Sequence, residues 1–196
     1  MKKKNRSNYK RSRDKFNRNI PEKYYTKDDF FYSRIASILM IPRGKVRSIF
    51  SERAITTIRL NSLKGNSEET KKALMKKGYE LEKIPWAKDV FFVRNKDKSE
   101  VSQSVEYTEG KYYIQNLSSI LATLILNPKN GEKILDMCAA PGSKSTYIAD
   151  LTGGEASILA NDIDMKRVND LKDVVKQFGT ENIRIALSDG KEFGYK

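Results

Sequence analysis

The segment from Lys133 to Lys144, with the sequence KILDMCAAPGSK, constrains the fold of this chain more than any other stretch. It opens with the short apolar run Ile134-Leu135, which is typical of a buried strand. The run breaks at Ala139-Ala140-Pro141-Gly142, where small residues let the backbone approach a ligand because no Cβ of the glycine stands in the way. We expect Ser143 to cap a helix that ends near residue 151. A strand, a tight loop and a helix start predict the nucleotide-binding corner of a doubly wound α/β domain.

The residues that follow repeat the alternation of strand and helix. The run 156–161 is typical of a second buried strand, and Asp162 stands at its carboxyl end, twenty residues after Gly142. At about that spacing, an acidic residue accepts hydrogen bonds from a ribose in such folds. Apolar residues at a 3.6-residue period predict a helix over 165–178, closed by Gly179, and 183–187 predicts a third strand that ends at Ser188-Asp189-Gly190.

Two common nucleotide fingerprints are absent from the sequence. There is no Gly-x-Gly-x-x-Gly and no Gly-x-x-x-x-Gly-Lys-Ser/Thr, which argues against nicotinamide dinucleotides and against triphosphatases. A loop with one glycine, followed by an acid about twenty residues later, suits a nucleoside ligand without a pyrophosphate. S-adenosylmethionine is such a ligand.

These residues resemble the Sun (Fmu, Nop2-type) RNA cytosine-5 methyltransferase family. The stretch 136–144 is similar to the cofactor motif of that family, 161–167 to its next motif, 188–190 to its third, and 110–119 to the segment before its catalytic domain. The resemblance covers roughly residues 58 to 193, and Cys-Ala-Ala-Pro-Gly is specific to this group among methyltransferases. One departure is Ser145, where the family usually has Thr, and the hydroxyl is kept.

The resemblance implies a Rossmann-like class I methyltransferase fold, of which this chain holds the first three strands, and S-adenosylmethionine as the cofactor. Lys144 is expected near the cofactor carboxylate, Asp162 at the ribose hydroxyls and Asp189 at the adenine amino group. Arg167 is expected to orient the Asp162 loop through a charge-assisted hydrogen bond. The complete set of expected cofactor-binding residues is Cys138, Ala139, Ala140, Pro141, Gly142, Ser143, Lys144, Asp162, Arg167 and Asp189.

The upstream part of the chain predicts a small α+β module over 28–109, followed by a cofactor domain over 110–196. We expect Asp28 or Asp29 to cap a helix that Pro42 and Gly44 end, a basic helix over 45–53 with Ile49 and Phe50 facing inward, and a strand over 54–60. A helix from Ser67 to about residue 77 and strands at 79–84 and 90–94 follow. Asn116 or Ser118 should cap an apolar helix that packs against the first strand of the parallel sheet.

Charge points to a polyanionic partner. The net charge is +13, and residues 1–27 hold eleven Lys or Arg against two acids, with Tyr9 and Phe16 interleaved. We predict a disordered basic tail that neutralises RNA phosphates and stacks on bases, the alternative being a solvated tail with no specific role. No apolar run suggests a membrane span, and the single Cys is compatible with a reducing cytoplasm. The absence of His removes His-based catalysis and His-metal sites, so we expect no metal, and we expect a monomer.

Methylation at carbon 5 of cytosine requires a thiolate that first adds to carbon 6. The only thiol is Cys138, whose family equivalent is not the nucleophile, and we expect it to be a buried packing residue. The family's catalytic cysteines lie in later motifs, so the nucleophile is expected beyond Lys196. Three parallel strands in the order 3-2-1 would also leave the first strand as an exposed edge.

Three interpretations therefore stand at the level of sequence. The first is the N-terminal part of an RNA (cytosine-5) methyltransferase, with rRNA preferred to tRNA as substrate, that is inactive by itself and binds the cofactor weakly at most. The second is a non-catalytic RNA-binding protein that keeps the methyltransferase scaffold. The third is an S-adenosylmethionine enzyme that acts on amino nitrogens, which needs no thiolate.

Overall fold

The computed structural model describes residues 26–52 and 55–195, which belong to two compact units, Met1–Ala54 and Ile55–Lys196. The described part of the first unit is a pair of helices, α1 (Lys27–Leu39) and α2 (Arg43–Ser51). The predicted cap at Asp28 or Asp29 is wrong, because Thr26 caps α1 and accepts a hydrogen bond from the Asp29 N–H. The Asp29 carboxylate accepts the Thr26 N–H in return and also contacts Arg43 and Arg47.

The second helix of this unit begins two residues earlier than predicted. Pro42 precedes its first turn instead of ending α1, and Gly44 lies inside it. Of its apolar residues only Val46 is buried, so the predicted inward orientation of Ile49 and Phe50 is wrong: 47% and 52% of their surfaces are exposed. The predicted basic tail over 1–27 lies outside the described residues, apart from its last two.

A four-stranded antiparallel sheet opens the second unit, with its strands in the order β2-β3-β1-β4. Its elements are β1 (Thr56–Leu60), a 3₁₀ turn (Ser62–Lys64), α3 (Ser67–Lys76), β2 (Leu81–Lys83), β3 (Val90–Val93), α4 (Lys98–Ser102), α5 (Val105–Thr108) and β4 (Tyr112–Ile114). Asn66, and not Ser67, caps α3. The helices α4 and α5 and the strand β4 were not predicted, and β4 lies beyond the predicted division at residue 109, which stays a prediction.

Every residue of the central strand β1 is buried, so this sheet is covered on both faces. On one face, Ile58 and Leu60 join a core with Leu74 of α3 and Tyr112 of β4. Arg59 alternates to the other face, as successive side chains of a strand do. No surface of Arg59 is exposed, which is rare for a guanidinium and requires partners.

A three-stranded parallel sheet forms the rest of the unit, in the order β5-β6-β7. The elements are α6 (Leu117–Leu126), β5 (Lys133–Asp136), α7 (Ser143–Leu151), β6 (Ser157–Asp162), α8 (Met165–Phe178), β7 (Ile183–Leu187) and a 3₁₀ stretch (Gly190–Tyr195). The predicted alternation and the 3-2-1 order are confirmed. Both α7 and α8 contribute to one apolar core with β6 and β7, for example through Ile148, Ile158 and Leu171.

The helix α6 packs differently from the prediction. Its buried Ile120 belongs to a cluster with Tyr147 of α7 and with Ile84 and Val90 of the first sheet, and no residue of β5 is part of that cluster. The two sheets of this unit therefore share apolar contacts through α6 and α7. In the described sheet β5 is an edge strand with 44% of the Leu135 surface exposed, which confirms the exposed edge predicted from the strand order; its apolar run alone had suggested a buried strand. None of the described helices has the length and apolar content needed to cross a bilayer.

Candidate functional site

The carboxyl ends of β5, β6 and β7 are held together by the side chain of Asn161. Its Nδ2 donates to the carbonyl of Met137 at 3.1 Å and to that of Ser188 at 2.9 Å, and no surface of Asn161 is exposed. Its backbone carbonyl accepts the N–H of Ala139 at 2.8 Å. One residue of the middle strand thus fixes the loops that leave its two neighbours. In the sequence, Asn161 was noted only as the first residue of the motif 161–167, and its links to the neighbouring strand ends were not predicted.

Asp162 lies at the end of β6, with 2% of its surface exposed. Its Oδ2 accepts the N–H of Ala140 at 3.2 Å, and its Oδ1 accepts the N–H of Asp164 at 3.3 Å. The guanidinium of Arg167 lies 3.2 Å from Oδ2 through Nη1, and its Nη2 donates to the carbonyl of Ala140 at 2.6 Å. Arg167 therefore ties the acid to the loop after β5, with the geometry that the sequence suggested.

A hydroxyl and a carboxylate anchor the start of α7 to the end of β5. The Ser145 Oγ donates to the Asp136 Oδ2 at 2.7 Å, and Ser145 is fully buried. Neither residue was predicted as part of the site. The retained hydroxyl at position 145, where the family usually has Thr, was the available signal. This bond fixes how the helix start faces the strand end.

Gly142 takes a different part from the one expected of it. Its φ of +107° turns the chain into α7, and it occupies the cap position that we expected for Ser143. A Cβ placed on Gly142 would lie 2.8 Å from Leu171 Cδ1 and 3.3 Å from Val174 Cγ1. The missing side chain therefore makes room for α8, and the expected approach of the loop backbone to a ligand stays a prediction.

The remaining predicted residues divide into a buried and an accessible group. Ala139 and Ala140 are buried, Ser143 and Asp189 are half-buried, and Cys138, Pro141 and Lys144 are exposed. The expected burial of Cys138 is wrong because β5 ends at Asp136, which places Cys138 on the turn that follows.

Asp189 follows β7, and its Oδ1 accepts the N–H of Lys191 at 3.0 Å. Two apolar side chains that were not predicted are also accessible beside the strand ends, Met137 at 51% and Ile163 at 66%. The carboxyl edge of the parallel sheet thus offers apolar surface, a lysine ammonium and a carboxylate. Such a mixture suits a ligand that combines a flat base with charged groups.

The fold and the site define a class. A parallel sheet with helices between its strands, and with acids at the carboxyl ends of β6 and β7, is a Rossmann-like α/β arrangement with a ligand site at those ends. One family model, described as 16S rRNA methyltransferase RsmB/F, matches residues 123–195. A second, described as the N-terminal domain of 16S rRNA methyltransferase RsmF, matches residues 28–117.

Individual proteins agree with these matches. The chain is 40% identical over 138 residues to the tRNA (cytosine(49)-C(5))-methyltransferase of Pyrococcus abyssi, a match that spans 70% of this chain and 44% of that protein. It is 35% identical over 140 residues to the ribosomal RNA small subunit methyltransferase F of Shewanella oneidensis, spanning 70% and 30%. A crystal structure of a methyltransferase homolog protein from Pyrococcus horikoshii superposes with a TM-score of 0.70 and 30% identity, over 76% of this chain and 49% of that one.

The chain belongs to the Sun (Fmu, Nop2-type) family of RNA methyltransferases and corresponds to its N-terminal portion. It spans less than half the length of each of these three relatives.

Proposed function

We propose that the chain is the cofactor-binding portion of an S-adenosylmethionine-dependent RNA (cytosine-5) methyltransferase. The observation that carries the proposal is the meeting of the loop after β5, Asp162 and Asp189 at one edge of the parallel sheet, where Asn161 joins all three strand ends. Bound there, the cofactor supplies an electrophilic methyl group.

Each accessible residue has a part in this proposal. The exposed Lys144 lies in the first turn of α7, where its ammonium and the free backbone N–H groups favour the cofactor carboxylate. Asp189 accepts from the adenine amino group, since its carboxylate has acceptor capacity beyond the Lys191 N–H. Ile163 and Met137 offer apolar surface to the base.

The proposed ribose contact of Asp162 carries a condition. A carboxylate accepts about four hydrogen bonds, and Ala140, Asp164 and Arg167 already donate to this one. About one acceptor position therefore remains, enough for one ribose hydroxyl. Acceptance from both hydroxyls needs Arg167 to move away from one oxygen, which its exposed side chain permits: 52% of that side chain is accessible.

Ligand analogues test the ribose contact of Asp162 better than the substitution Asp162→Ala does. That substitution also removes the acceptor of the Ala140 N–H and of the Arg167 guanidinium. We expect the chain to bind S-adenosylhomocysteine weakly in calorimetry and the 2′,3′-dideoxy analogue about tenfold more weakly, the cost of roughly one charge-assisted hydrogen bond. In Asp162→Asn this preference should shrink to about twofold. If wild type and Asp162→Asn prefer S-adenosylhomocysteine over the dideoxy analogue equally, Asp162 does not bind the ribose. Absence of binding by the chain and by a longer form of the protein would overturn the cofactor proposal.

RNA is the proposed substrate, and we favour rRNA over tRNA because both matching family models describe rRNA enzymes. The first unit supports RNA contact, since exposed Arg34, Lys45 and Arg47 accompany the exposed aromatic rings of Phe30 and Phe50. Neutralised phosphates release counterions, so affinity should fall steeply with salt. Deletion of residues 1–27, which hold eleven cations, should flatten the slope of log K against log salt. An unchanged slope would place the phosphate contacts elsewhere.

We further infer that the chain does not itself provide the nucleophile. Cys138, its only cysteine, lies on the turn after β5, on the proposed cofactor side of the site. The chain alone should therefore trap no covalent complex with an RNA that contains 5-fluorocytosine. A trapped complex that disappears in Cys138→Ala, with the fold preserved, would make Cys138 the nucleophile.

RNA binding without cofactor binding would favour the alternative, a non-catalytic RNA-binding protein on this scaffold. We also propose a cytoplasmic monomer, since one cysteine is compatible with a reducing compartment, and a reaction without a metal, since the sequence has no His.

A further inference from the structure

We propose that Arg59, a residue of the first sheet, is a positioning residue for the cofactor loop of the second sheet. Its guanidinium is fully buried and meets three acceptors: Nε donates to Gln115 Oε1 at 3.0 Å, Nη1 to Asp150 Oδ2 at 3.2 Å and Nη2 to Thr146 Oγ1 at 3.1 Å. Asp150 and Thr146 both belong to α7, the helix that begins at the end of the loop. The inference rests on the proposed function, since it concerns the same site.

A hydrogen-bond relay connects Arg59 to the loop itself. Thr146 Oγ1 accepts from Arg59 and donates to the carbonyl of Gly142 at 2.9 Å. Gly142 in turn donates its N–H to the carbonyl of Ala139 at 2.7 Å. Both bonds attach to Gly142, so the guanidinium, acting through Thr146, fixes the position of the residue whose N–H closes the loop. No surface of Thr146 is exposed, so water does not compete for these bonds.

Two aromatic rings and the Asp150 carboxylate fix the guanidinium. It lies 4.6 Å from the centre of the Tyr147 ring and 4.7 Å from that of Phe178, the last residue of α8. Burial lowers the pKa of Arg59, and the Asp150 carboxylate opposes that shift. The rings and the hydrogen bonds hold the side chain in one orientation, with Nη2 directed at Thr146.

The residue that follows β1 contacts the other helix that flanks the loop. Asn61 Nδ2 donates to the carbonyl of Phe178 at 2.8 Å, at the end of α8. That helix carries Arg167, which binds Asp162 and Ala140. The segment from Arg59 to Asn61 thus contacts both helices between which the loop lies, and Arg59 is the residue whose contacts continue into the loop.

Hydrogen exchange and cofactor affinity, measured on the same variants, test the proposal. Thr146→Val removes the relay and keeps the shape of the side chain, whereas Thr146→Ser keeps the hydroxyl. We expect Thr146→Val to raise amide exchange between residues 139 and 146 about tenfold and to weaken S-adenosylhomocysteine binding by a similar factor, with Thr146→Ser within about twofold of wild type. Arg59→Lys, which retains the charge but loses the fork, should match Thr146→Val.

The double variant shows whether Arg59 acts through Thr146. If it does, Arg59→Lys combined with Thr146→Val changes exchange and affinity no more than either substitution alone. The proposal is overturned if the effects of the two substitutions multiply in the double variant. It is also overturned if Arg59→Lys lowers the melting temperature but leaves amide exchange in the loop at the wild-type rate, because Arg59 would then have only a structural role. If Arg59→Lys does not fold, Asp150→Asn replaces it in the cycle with the same two outcomes. Amide exchange is measured without ligand and so tests the role of Arg59 even if the proposed function is wrong. A wrong proposed function would show as wild-type protein that binds no cofactor.

Discussion

Substitution of Gly142 by Ala should destabilise the second unit by an amount that the structure resolves into two parts. The φ of +107° lies in a region that L-residues avoid, at a cost of about 1–2 kcal/mol. The new Cβ would also lie 2.8 Å from Leu171 Cδ1 and 3.3 Å from Val174 Cγ1. Overpacking of this kind costs typically about 1–3 kcal/mol. The expected loss in the free energy of unfolding is therefore about 2–5 kcal/mol.

Substitutions at two other glycines distinguish the cost of the positive φ from the cost of overpacking. Gly131 has a φ of +78° with nothing within 4 Å of an added Cβ, so Gly131→Ala should show the backbone cost alone, about 1–2 kcal/mol. Gly190, which follows β7, has no positive φ, and its Cβ would make an ordinary contact with Met137 Sδ at 3.6 Å. Gly190→Ala should change stability by no more than about 0.5 kcal/mol.

Urea denaturation followed by circular dichroism gives all three values. The expected order of destabilisation is Gly142→Ala, then Gly131→Ala, then Gly190→Ala, with similar denaturant slopes. A loss in Gly142→Ala equal to that in Gly131→Ala would show that α8 moves away from the new methyl group at little cost. The claim that Gly142 exists for helix packing would then be refuted.

Three further results are expected. Asp150→Ala, which strips the buried Arg59 of its carboxylate, should cost about 3–5 kcal/mol in urea denaturation, whereas Glu82→Ala in the exposed Glu82–Arg94 pair should cost nothing measurable. Burial raises the pKa of Glu106, but the hydrogen bond from Lys77 and neighbouring groups outweigh it, so the folded pKa is lowered. Its stabilisation is present above the unfolded pKa, and the deficit of Glu106→Gln in denaturation should shrink as the pH falls below about 4.3. The exposed Cys138 should react with Ellman's reagent in the folded protein, and a reaction only after urea is added would contradict the exposed turn.

Periodic segments were predicted well because their signal is local. The bounds of α8 and β7 coincide with the predicted ones, since a 3.6-residue apolar pattern ends at Gly179 and a β-branched run ends before Ser188. The strand β4 was missed because three residues, Tyr112–Ile114, carry no pattern of their own. They form a strand because Tyr112 pairs with Leu60 and Ile114 with Ile58, across about fifty residues of chain.

The candidate site shows the same division. Asp162 and Arg167 are five residues apart at a helix start, and their contact could be predicted from the motif. The partners of Arg59 lie 56, 87 and 91 residues away, so no spacing rule reaches them. The contact of Gly142 with α8 was not predicted, because a sequence shows that a Cβ is missing but not which neighbour fills the space.

The packing bears on how the two matched segments depend on each other. One family model ends at residue 117 and the other begins at residue 123, yet α6 spans this gap and shares a core with the first sheet and with α7. Arg59 and Ser62 of the first segment bind Asp150 of the second. Removal of the first segment would expose Tyr147 and take Arg59 away from Asp150, and removal of the second would leave the buried Arg59 without its carboxylate. A buried charge without its partner costs about 3–5 kcal/mol, a large part of the stability of a domain. Residues 55–195 should therefore unfold as one cooperative unit, and a change in β1 should reach the cofactor loop through the stability of α7.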